Sequence, residues 1–320
     1  MNERINLVMA NLLDISIVIP VKGNCEYLSE TLDSLCNIRT PVEEIIIVND
    51  GVSNKALALI SAYEKKLPIR LILSSGSGLV AALNSGLNSA NCKHIARLDG
   101  DDLTLPDRFQ LQLEAFEADP LLVACGGQIQ YINQQSQITG ASSYPVGKLN
   151  SLSIFRSRCL IAHPASMYLK SAAHEIGGYR SVFTERGMDL AEDFDFWLRI
   201  SLLGNIENLS DTLIKYRQHP NQISTACLPV QGLATTYVKA LNQSKLPFDD
   251  SLRISLTTDS SVLTRSQFRV LQKSLNLFEL MQFNIELLAY KRSSQASKAF
   301  WDIFLITILR IFRKLNSLKS

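Results

Sequence analysis

The chain has 320 residues, which at roughly 150 residues per domain corresponds to about two domains. Hydrophobic residues make up 46% and charged residues 19%, a balance that excludes wholesale disorder, and the modest glycine and proline content excludes collagen-like or low-complexity architecture. A net charge of +2 supplies no global field for a nucleic-acid partner, so none is expected.

Residues 15–19 (ISIVI) form an apolar, β-branched run, the pattern of a buried parallel strand, with Pro20 as its stop. Residues 26–38 place Leu28, Leu32 and Leu35 at helical spacing, and 44–48 (EIIIV) form a second buried strand closed by Asn49-Asp50-Gly51. A helix is predicted over 54–66, a strand over 69–73, a small-residue helix over 79–90, and a strand over 94–98 that ends on Asp99-Gly100-Asp101-Asp102. Such strand–helix alternation predicts an α/β, doubly wound sheet with ligands at the carboxyl ends of its strands. The polar clusters fall at those ends: Pro20 to Asn24, Asn49 to Ser53 and Asp99 to Asp102.

From about residue 121 the alternation breaks. Residues 121–133 read as strand material and 143–150 as loop. A helix over 192–203 turns Phe196, Leu198, Ile200 and Leu203 inward. From about 225 the chain becomes rich in Ser, Gln, Leu and Lys and reads as helical segments. The domain boundary is therefore expected at 225/226. The six cysteines show no CxxC spacing and no histidine cluster, which supports neither a zinc site nor a disulfide framework and suits reduced thiols in a cytoplasmic setting. The first sixteen residues lack the long apolar run and small-residue cleavage site of a signal peptide.

Three motifs carry chemistry. In Asp99-Gly100-Asp101-Asp102, three carboxylates crowd one strand end; they repel and raise one another's pKa unless a cation compensates. Oxygen ligands suit Mg²⁺ or Mn²⁺, although a solvated acidic turn capping a helix has the same pattern. In Glu192-Asp193-Phe194-Asp195-Phe196-Trp197, acids lead an apolar helix, as macrodipole complementarity alone requires or as a carboxylate base beside an apolar wall requires. In Tyr216-Arg217-Gln218-His219-Pro220, the histidine stands beside an arginine in a polar stretch, which fits a metal or phosphate role as well as a structural one.

Taken in order, Ser16-Ile-Val-Ile-Pro20, Val48-Asn49-Asp50-Gly51, Gly78-Leu79 with Asn84 and Gly86, Arg97-Leu98-Asp99-Gly100-Asp101-Asp102 with Pro106 and Arg108, His163-Pro164-Ala165, Gly177-Gly178-Tyr179, Glu192-Asp193 with Trp197, and Tyr216-Arg217 with His219 resemble a family 2 glycosyltransferase of the GT-A fold. The type is common in bacterial surface-polysaccharide biosynthesis, and the resemblance covers roughly residues 14–225. It implies a Rossmann-like, mostly parallel sheet with flanking helices, followed here by a helical C-terminal extension. It also implies inverting transfer of a hexose or N-acetylhexosamine from a nucleotide diphosphate-sugar, UDP-linked, to a saccharide or lipid-linked saccharide acceptor. By the same resemblance, Pro20, Val21 and Asp50 line the nucleoside pocket, and Asn84, Arg97, Asp99 and Gly100 complete the donor site. Asp99, Asp101 and His219 would hold Mn²⁺ or Mg²⁺, and Asp193 would be the general base, with Asp195 next in line.

The chain departs from the family pattern in two places. Lys22 stands where many relatives carry a tyrosine, so base stacking at that position is lost or replaced. Asn49 stands where many carry a first aspartate, leaving Asp50 as the one acid kept. His163 fits either the acceptor side or a structural position, Gly177-Gly178 fits a tight turn, and the helical spacing of Trp197 favours the core. A non-catalytic nucleotide-sugar-binding subunit is the rival from another class. A nucleotidyltransferase is the rival enzyme, for which Val21-Lys22-Gly23-Asn24 is a poor phosphate loop.

The chain's charge is uneven. Residues 291–320 carry seven Lys/Arg and one Asp, leaving 25 basic and 29 acidic residues elsewhere. Within 299–314 (AFWDIFLITILRIFRK) no run approaches the ~20 apolar residues of a spanning helix. The aromatic and basic pattern suits an interfacial helix on an anionic leaflet, or a helix docked on the body or on a second copy. The expected location is therefore cytoplasmic, peripheral at the inner face of the membrane.

Overall fold

The computed structural model describes residues 12–150, 154, 160–185, 187–220, 222, 228–244, 247–256, 266, 267, 270 and 271. In chain order the elements are β1 (Leu13–Gly23), α1 (Leu28–Cys36), β2 (Val42–Val52), α2 (Asn54–Tyr63), β3 (Ile69–Leu73), α3 (Leu79–Ser89), β4 (His94–Arg97), β5 (Leu103–Thr104), α4 (Arg108–Ala118), β6 (Leu122–Ile132), β7 (Ile138–Ala141), β8 (Gly147–Leu149), β9 (Met167–Leu169), α5 (Lys170–Glu175), β10 (Phe183–Glu185), β11 (Met188–Leu190), α6 (Glu192–Ile200), β12 (Asn205–Arg217), α7 (Leu228–Ser244) and β13 (Ile254–Leu256). They divide into two compact units. One holds the described residues up to Arg180 with Phe196–Gln222; the other holds Ser181–Asp195 and the described residues from 228 onward. Residues 181–195, which precede the expected boundary at 225/226, cluster with the second unit.

The first unit is built on a sheet ordered β3-β2-β1-β4-β9-β6-β12-β5, with β7 and β8 added to β6 and β12. Strands β1 to β4 are mutually parallel; β9 runs against both β4 and β6, so β6 and β12 regain the common direction. Ile15, Ile17, Val18 and Ile19 are all buried, as are Ile45, Ile46 and Ile47. Burial on both faces explains why these strands read as continuous apolar runs rather than alternating ones. Helix α3 lies close on β1 and β2 because Gly86 has no side chain; a Cβ there would sit 2.3 Å from Val18 Cγ1.

Pro20 does not stop β1, which stays paired with β2 as far as Gly23, with a shift of register between Val21 and Gly23. Val18 O accepts from Leu98 N on the β4 side. Two residues on, the backbone at Pro20 faces that side again, and the pairing with β4 has already ended. The missing N–H of proline is therefore not called upon. Helix α4 is a second difference, because the sequence pattern did not announce it. Its core face carries Arg108 and Gln112, both fully buried, which breaks the apolar stripe. They bond to each other and to backbone carbonyls: Arg108 Nε donates to Gln112 Oε1 at 3.1 Å, Arg108 Nη2 to Arg97 O at 2.7 Å and Gln112 Nε2 to Ala165 O at 3.0 Å. The short strand β8 lies within 143–150, read as loop. Leu203 falls beyond α6 and is 38% exposed, whereas Phe196, Leu198 and Ile200 are buried as expected.

In the second unit, β10 pairs with β11 antiparallel and with β13 parallel, so the region read as helical also supplies a strand. Tyr237 on α7 donates to Leu252 O at 2.7 Å and packs edge-on to Phe183. The described cysteines Cys25, Cys36, Cys92 and Cys125 are free thiols. No described helix is long and apolar enough to cross a membrane. Residues 299–314 lie outside the described residues.

Candidate active site

The acidic turn 99–102 leaves the carboxyl end of β4 and enters β5, which pairs antiparallel with the end of β12 (Thr104 opposite Ile214, Leu103 opposite Lys215). That pairing brings Arg217 and His219, 115 or more residues away in sequence, onto the turn. Arg217 N donates to Asp102 Oδ1 and its Nε to Asp101 O, both at 2.9 Å. Its fully buried guanidinium also donates to Ser136 Oγ and Glu30 Oε2, each at 2.9 Å, and lies 4.4 Å from the centroid of the Tyr27 ring. His219 Nε2 is 2.8 Å from Asp101 Oδ2.

The carboxylates of Asp99, Asp101 and Asp102 each offer an oxygen within 4.8 Å of the others. Asp102 is fully buried, and its Oδ2 has no hydrogen-bond partner among the described residues. Burial, then the charges of Asp99 and Asp101, push its carboxyl well above the usual range, Arg217 N and Arg97 opposing. Burial and Asp99 also raise Asp101, against the opposing pull of His219 and Arg97. Arg97 is buried and ion-paired with Asp99; burial lowers its pKa, but the aspartate outweighs that and holds it charged. Among the described residues Arg97 is the one guanidinium ion-paired with these three crowded carboxylates, which leaves the cluster short of positive charge. An unpartnered buried oxygen, hard carboxylate donors and an adjacent imidazole fit a divalent cation of the Mg²⁺ or Mn²⁺ type.

The turn opens on a cleft of about 450 Å³. Pro20, Val21, Asp99, Gly100, Asp101 and His219 line it together, so six of the residues singled out from the sequence share one wall system. Lys22, Tyr27 and Gln134 also line it. Tyr27 was not anticipated: it supplies an aromatic ring to a cleft whose familiar tyrosine position holds Lys22, and it stands 5.6 Å from the His219 ring. Its signal in the sequence is faint, a tyrosine just before α1. Asp50 is not among the lining residues but is joined to one. Its Oδ2 accepts from Lys22 Nζ and from Gly78 N, each at 3.1 Å. Asn49 Oδ1 accepts from Gly51 N and Val52 N, both at 2.9 Å, so the amide holds its own turn.

Asn84 does not line the cleft. Its amide clamps the backbone of Tyr179, accepting from Tyr179 N at 2.8 Å and donating to Tyr179 O at 2.9 Å. Gly178, at φ +71°, makes room: a Cβ there would meet Asn84 Oδ1 at 2.5 Å. The structure thus gives the Asn84 side chain an internal partner. Asp193 lies in the first turn of α6, half-buried, with Oδ1 accepting from Phe194 N at 2.7 Å. It belongs to the second unit. Asp195 is fully buried and accepts from Asn242 Nδ2 at 3.1 Å. His163 is buried beside Tyr179 and Trp197, its Nε2 2.9 Å from the Tyr179 hydroxyl. Burial, reinforced by the charge of Arg97, lowers its pKa well below the usual value and keeps it neutral. Trp197 is 1% exposed, a core residue.

Comparison with known proteins gives the family and the fold. The family model described as Glycosyl transferase family 2 matches residues 16–177. An uncharacterized glycosyltransferase of Haemophilus influenzae is 31% identical over 208 residues, covering 64% of this chain and 75% of that protein. The amylovoran biosynthesis glycosyltransferase AmsE of Erwinia amylovora is 28% identical over 206 residues, covering 63% and 75%. Among solved structures, S. aureus TarS 1–349 in complex with UDP-GlcNAc superposes with a TM-score of 0.58 at 16% identity, covering 88% of this chain and 82% of that one. At that identity the likeness speaks for the fold, which is GT-A.

Proposed function

The chain belongs to glycosyl transferase family 2, and from that premise we propose that it transfers a hexose or N-acetylhexosamine from a UDP-linked donor to an acceptor hydroxyl, with inversion, in polysaccharide biosynthesis. The observation that carries this reading is the convergence of Asp99, Asp101 and His219 on the cleft, with the buried Asp102 carboxylate beside them. The UDP-GlcNAc held by TarS supports the donor class, and the amylovoran role in the name of AmsE supports the pathway class.

In this reading Pro20, Val21, Asp50, Asp99 and Gly100 cradle the nucleoside, and Arg97 fixes the Asp99 carboxylate. Asp99, Asp101 and His219 would hold Mn²⁺ or Mg²⁺. When bound, that cation offsets negative charge on the departing nucleoside diphosphate. Asp193 takes the proton of the acceptor hydroxyl as its oxygen attacks the anomeric carbon opposite the departing group. Base assistance of this kind is worth about 10²–10⁴-fold. Asp195, buried and bonded to Asn242, is the weaker candidate. Residues 299–314 would lay an aromatic and basic face on an anionic membrane, where lipid-linked acceptors reside.

The test is calorimetric titration of a nucleotide-sugar panel with and without Mn²⁺, on wild type and Asp101→Ala. Mn²⁺-dependent binding of a UDP-sugar, lost in the variant, is expected; indifference to both changes would sink the metal site. Asp193→Asn is expected to abolish turnover while donor binding persists, and full activity would move the base elsewhere. Deleting 296–320 should lower the membrane-bound fraction.

A further inference from the structure

Tyr27 and Gln134 line the cleft together with the candidate cation ligands, and no step of the proposed transfer uses them. We infer that these two side chains contact a pyranose ring, Tyr27 through its aromatic ring and hydroxyl and Gln134 through its amide. The inference rests on the donor reading above and makes both residues specificity-determining.

One buried group builds this part of the wall. Gln134 sits at the tip of the hairpin between β6 and β7, and the fully buried Arg217 reaches that tip from the end of β12. Its Nη1 donates to Asn133 O at 3.2 Å, Gln134 O at 3.3 Å and Ser136 Oγ at 2.9 Å. The same guanidinium lies over the Tyr27 ring, 4.4 Å from its centroid, and donates to Glu30 Oε2, which also accepts from Ser136 Oγ. Asn133 Oδ1 accepts from Gln135 N and Gln137 N, each at 3.0 Å, so the tip is held from within as well. The frame is fixed, yet its two cleft-lining side chains keep their polar groups free. Among the described residues neither the Gln134 amide nor the Tyr27 hydroxyl has a hydrogen-bond partner. A few polar groups held toward a cleft by a rigid support are what orient a bound ligand.

The chemistry favours a sugar. Asp99, Asp101 and His219 suit a diphosphate with its cation, whereas the amide and the phenol carry no charge. Each can both donate and accept, which matches pyranose hydroxyls, and the aromatic ring matches the C–H side of the sugar. A site that hydrogen-bonds a hydroxyl rejects an analogue lacking it, so such contacts discriminate between sugars. The placement agrees. In the sheet, β4 and its acid turn stand between β1 and β2, which carry Pro20, Val21 and Asp50, and β6, which carries the hairpin. A donor with its nucleoside on β1 and β2 and its diphosphate at the turn therefore extends its sugar toward β6. Strands β4 and β6 are two strand spacings apart, about 10 Å, within reach of a hexose joined to that diphosphate. The sugar of an acceptor approaching the same anomeric carbon presents the same hydroxyl chemistry.

The experiment is calorimetric titration of UDP, UDP-glucose, UDP-galactose and their N-acetyl forms, with Mn²⁺, into the full chain as wild type, Gln134→Ala and Tyr27→Phe. A second arm follows methyl glycosides of the same sugars binding to the chain loaded with UDP and Mg²⁺, by saturation-transfer NMR. If the contact is to the donor's sugar, each variant should weaken the tightest UDP-sugar about fivefold, the scale of one neutral hydrogen bond, while UDP itself stays within about twofold. If the contact is to an acceptor's sugar, the UDP-sugars are unmoved and the methyl glycoside signal falls instead. Equal weakening of UDP and UDP-sugar would assign the side chains to the nucleotide and overturn the inference. Variants that alter neither arm would overturn it too, and in both cases the donor reading stands. Failure of UDP and every UDP-sugar to bind wild type would overturn the donor reading itself.

Discussion

The ends of β2 and β4 carry turns that look alike in sequence, Asn49-Asp50-Gly51 and Asp99-Gly100-Asp101-Asp102, yet they are in opposite electrostatic condition. At the first, Asn49 binds two amides of its own turn and Asp50 is balanced by Lys22 and Gly78 N. At the second, three carboxylates have one ion-paired guanidinium and one imidazole, and Asp102 keeps an oxygen without a partner among the described residues. The contrast teaches that a cluster of acids suits a cation when the surrounding protein fails to compensate it, whereas a carboxylate already paired with a lysine and a backbone amide has no call for one.

The largest effect should come from removing a carboxylate of the uncompensated turn. Asp101→Ala is expected to lower kcat/KM by about 10²–10³-fold, the scale of a lost electrostatic stabiliser, with Tm in chelator unchanged or raised because a repelled charge is gone. Asp50→Ala should instead lower Tm, since it strands Lys22 and Gly78 N. If both variants lower Tm alike, the contrast between the two turns fails.

Next comes the residue that holds the second turn in place. Arg217→Ala should destabilise the protein by about 3 kcal/mol, the lower end for breaking a buried ion pair, because Glu30 keeps 44% of its side chain exposed. Urea unfolding measures it, and a loss below 1 kcal/mol would show that the turn stands without its buried guanidinium.

The histidines sharpen the same contrast by pH. His163 is held neutral in the fold by burial and by Arg97, so below the ordinary histidine pKa near 6.5 the unfolded chain binds a proton that the folded chain refuses. Stability from this group is present above that pH and is lost as pH falls, by up to about 1.4 kcal/mol per unit. The slope of Tm against pH between 7 and 5 should flatten in His163→Gln, and an unchanged slope would remove His163 as its source. The smallest effect belongs to Asn49, whose amide oxygen binds only its own turn. Asn49→Ala should cost about 1 kcal/mol and leave the metal dependence of donor binding untouched.

Much of the site was legible before the fold. Pro20, Val21, Asp99, Gly100, Asp101 and His219 meet in one cleft, because each sits at or next to the end of a strand that a doubly wound sheet brings to one edge. The motif position of Asn84 says nothing of the Tyr179 backbone that its amide bonds. Tyr27 escaped notice because one aromatic in a loop carries no periodic signal. Helix α4 escaped because Arg108 and Gln112 occupy its core face, where pattern reading expects apolar side chains.

The sequence by itself determined the β1 to β4 alternation, the buried parallel strands and the crowding of acids after β4, since each follows from side chains near one another along the chain. The tertiary structure alone decided which acids remain uncompensated. Arg217 and His219 reach the turn only through the antiparallel pairing of β5 with β12, and Lys22 reaches Asp50 only through the register of β1 with β2. Charge balance depends on distances of a few ångströms between groups far apart in sequence, and those distances are set by strand pairing and register, which composition and spacing do not encode.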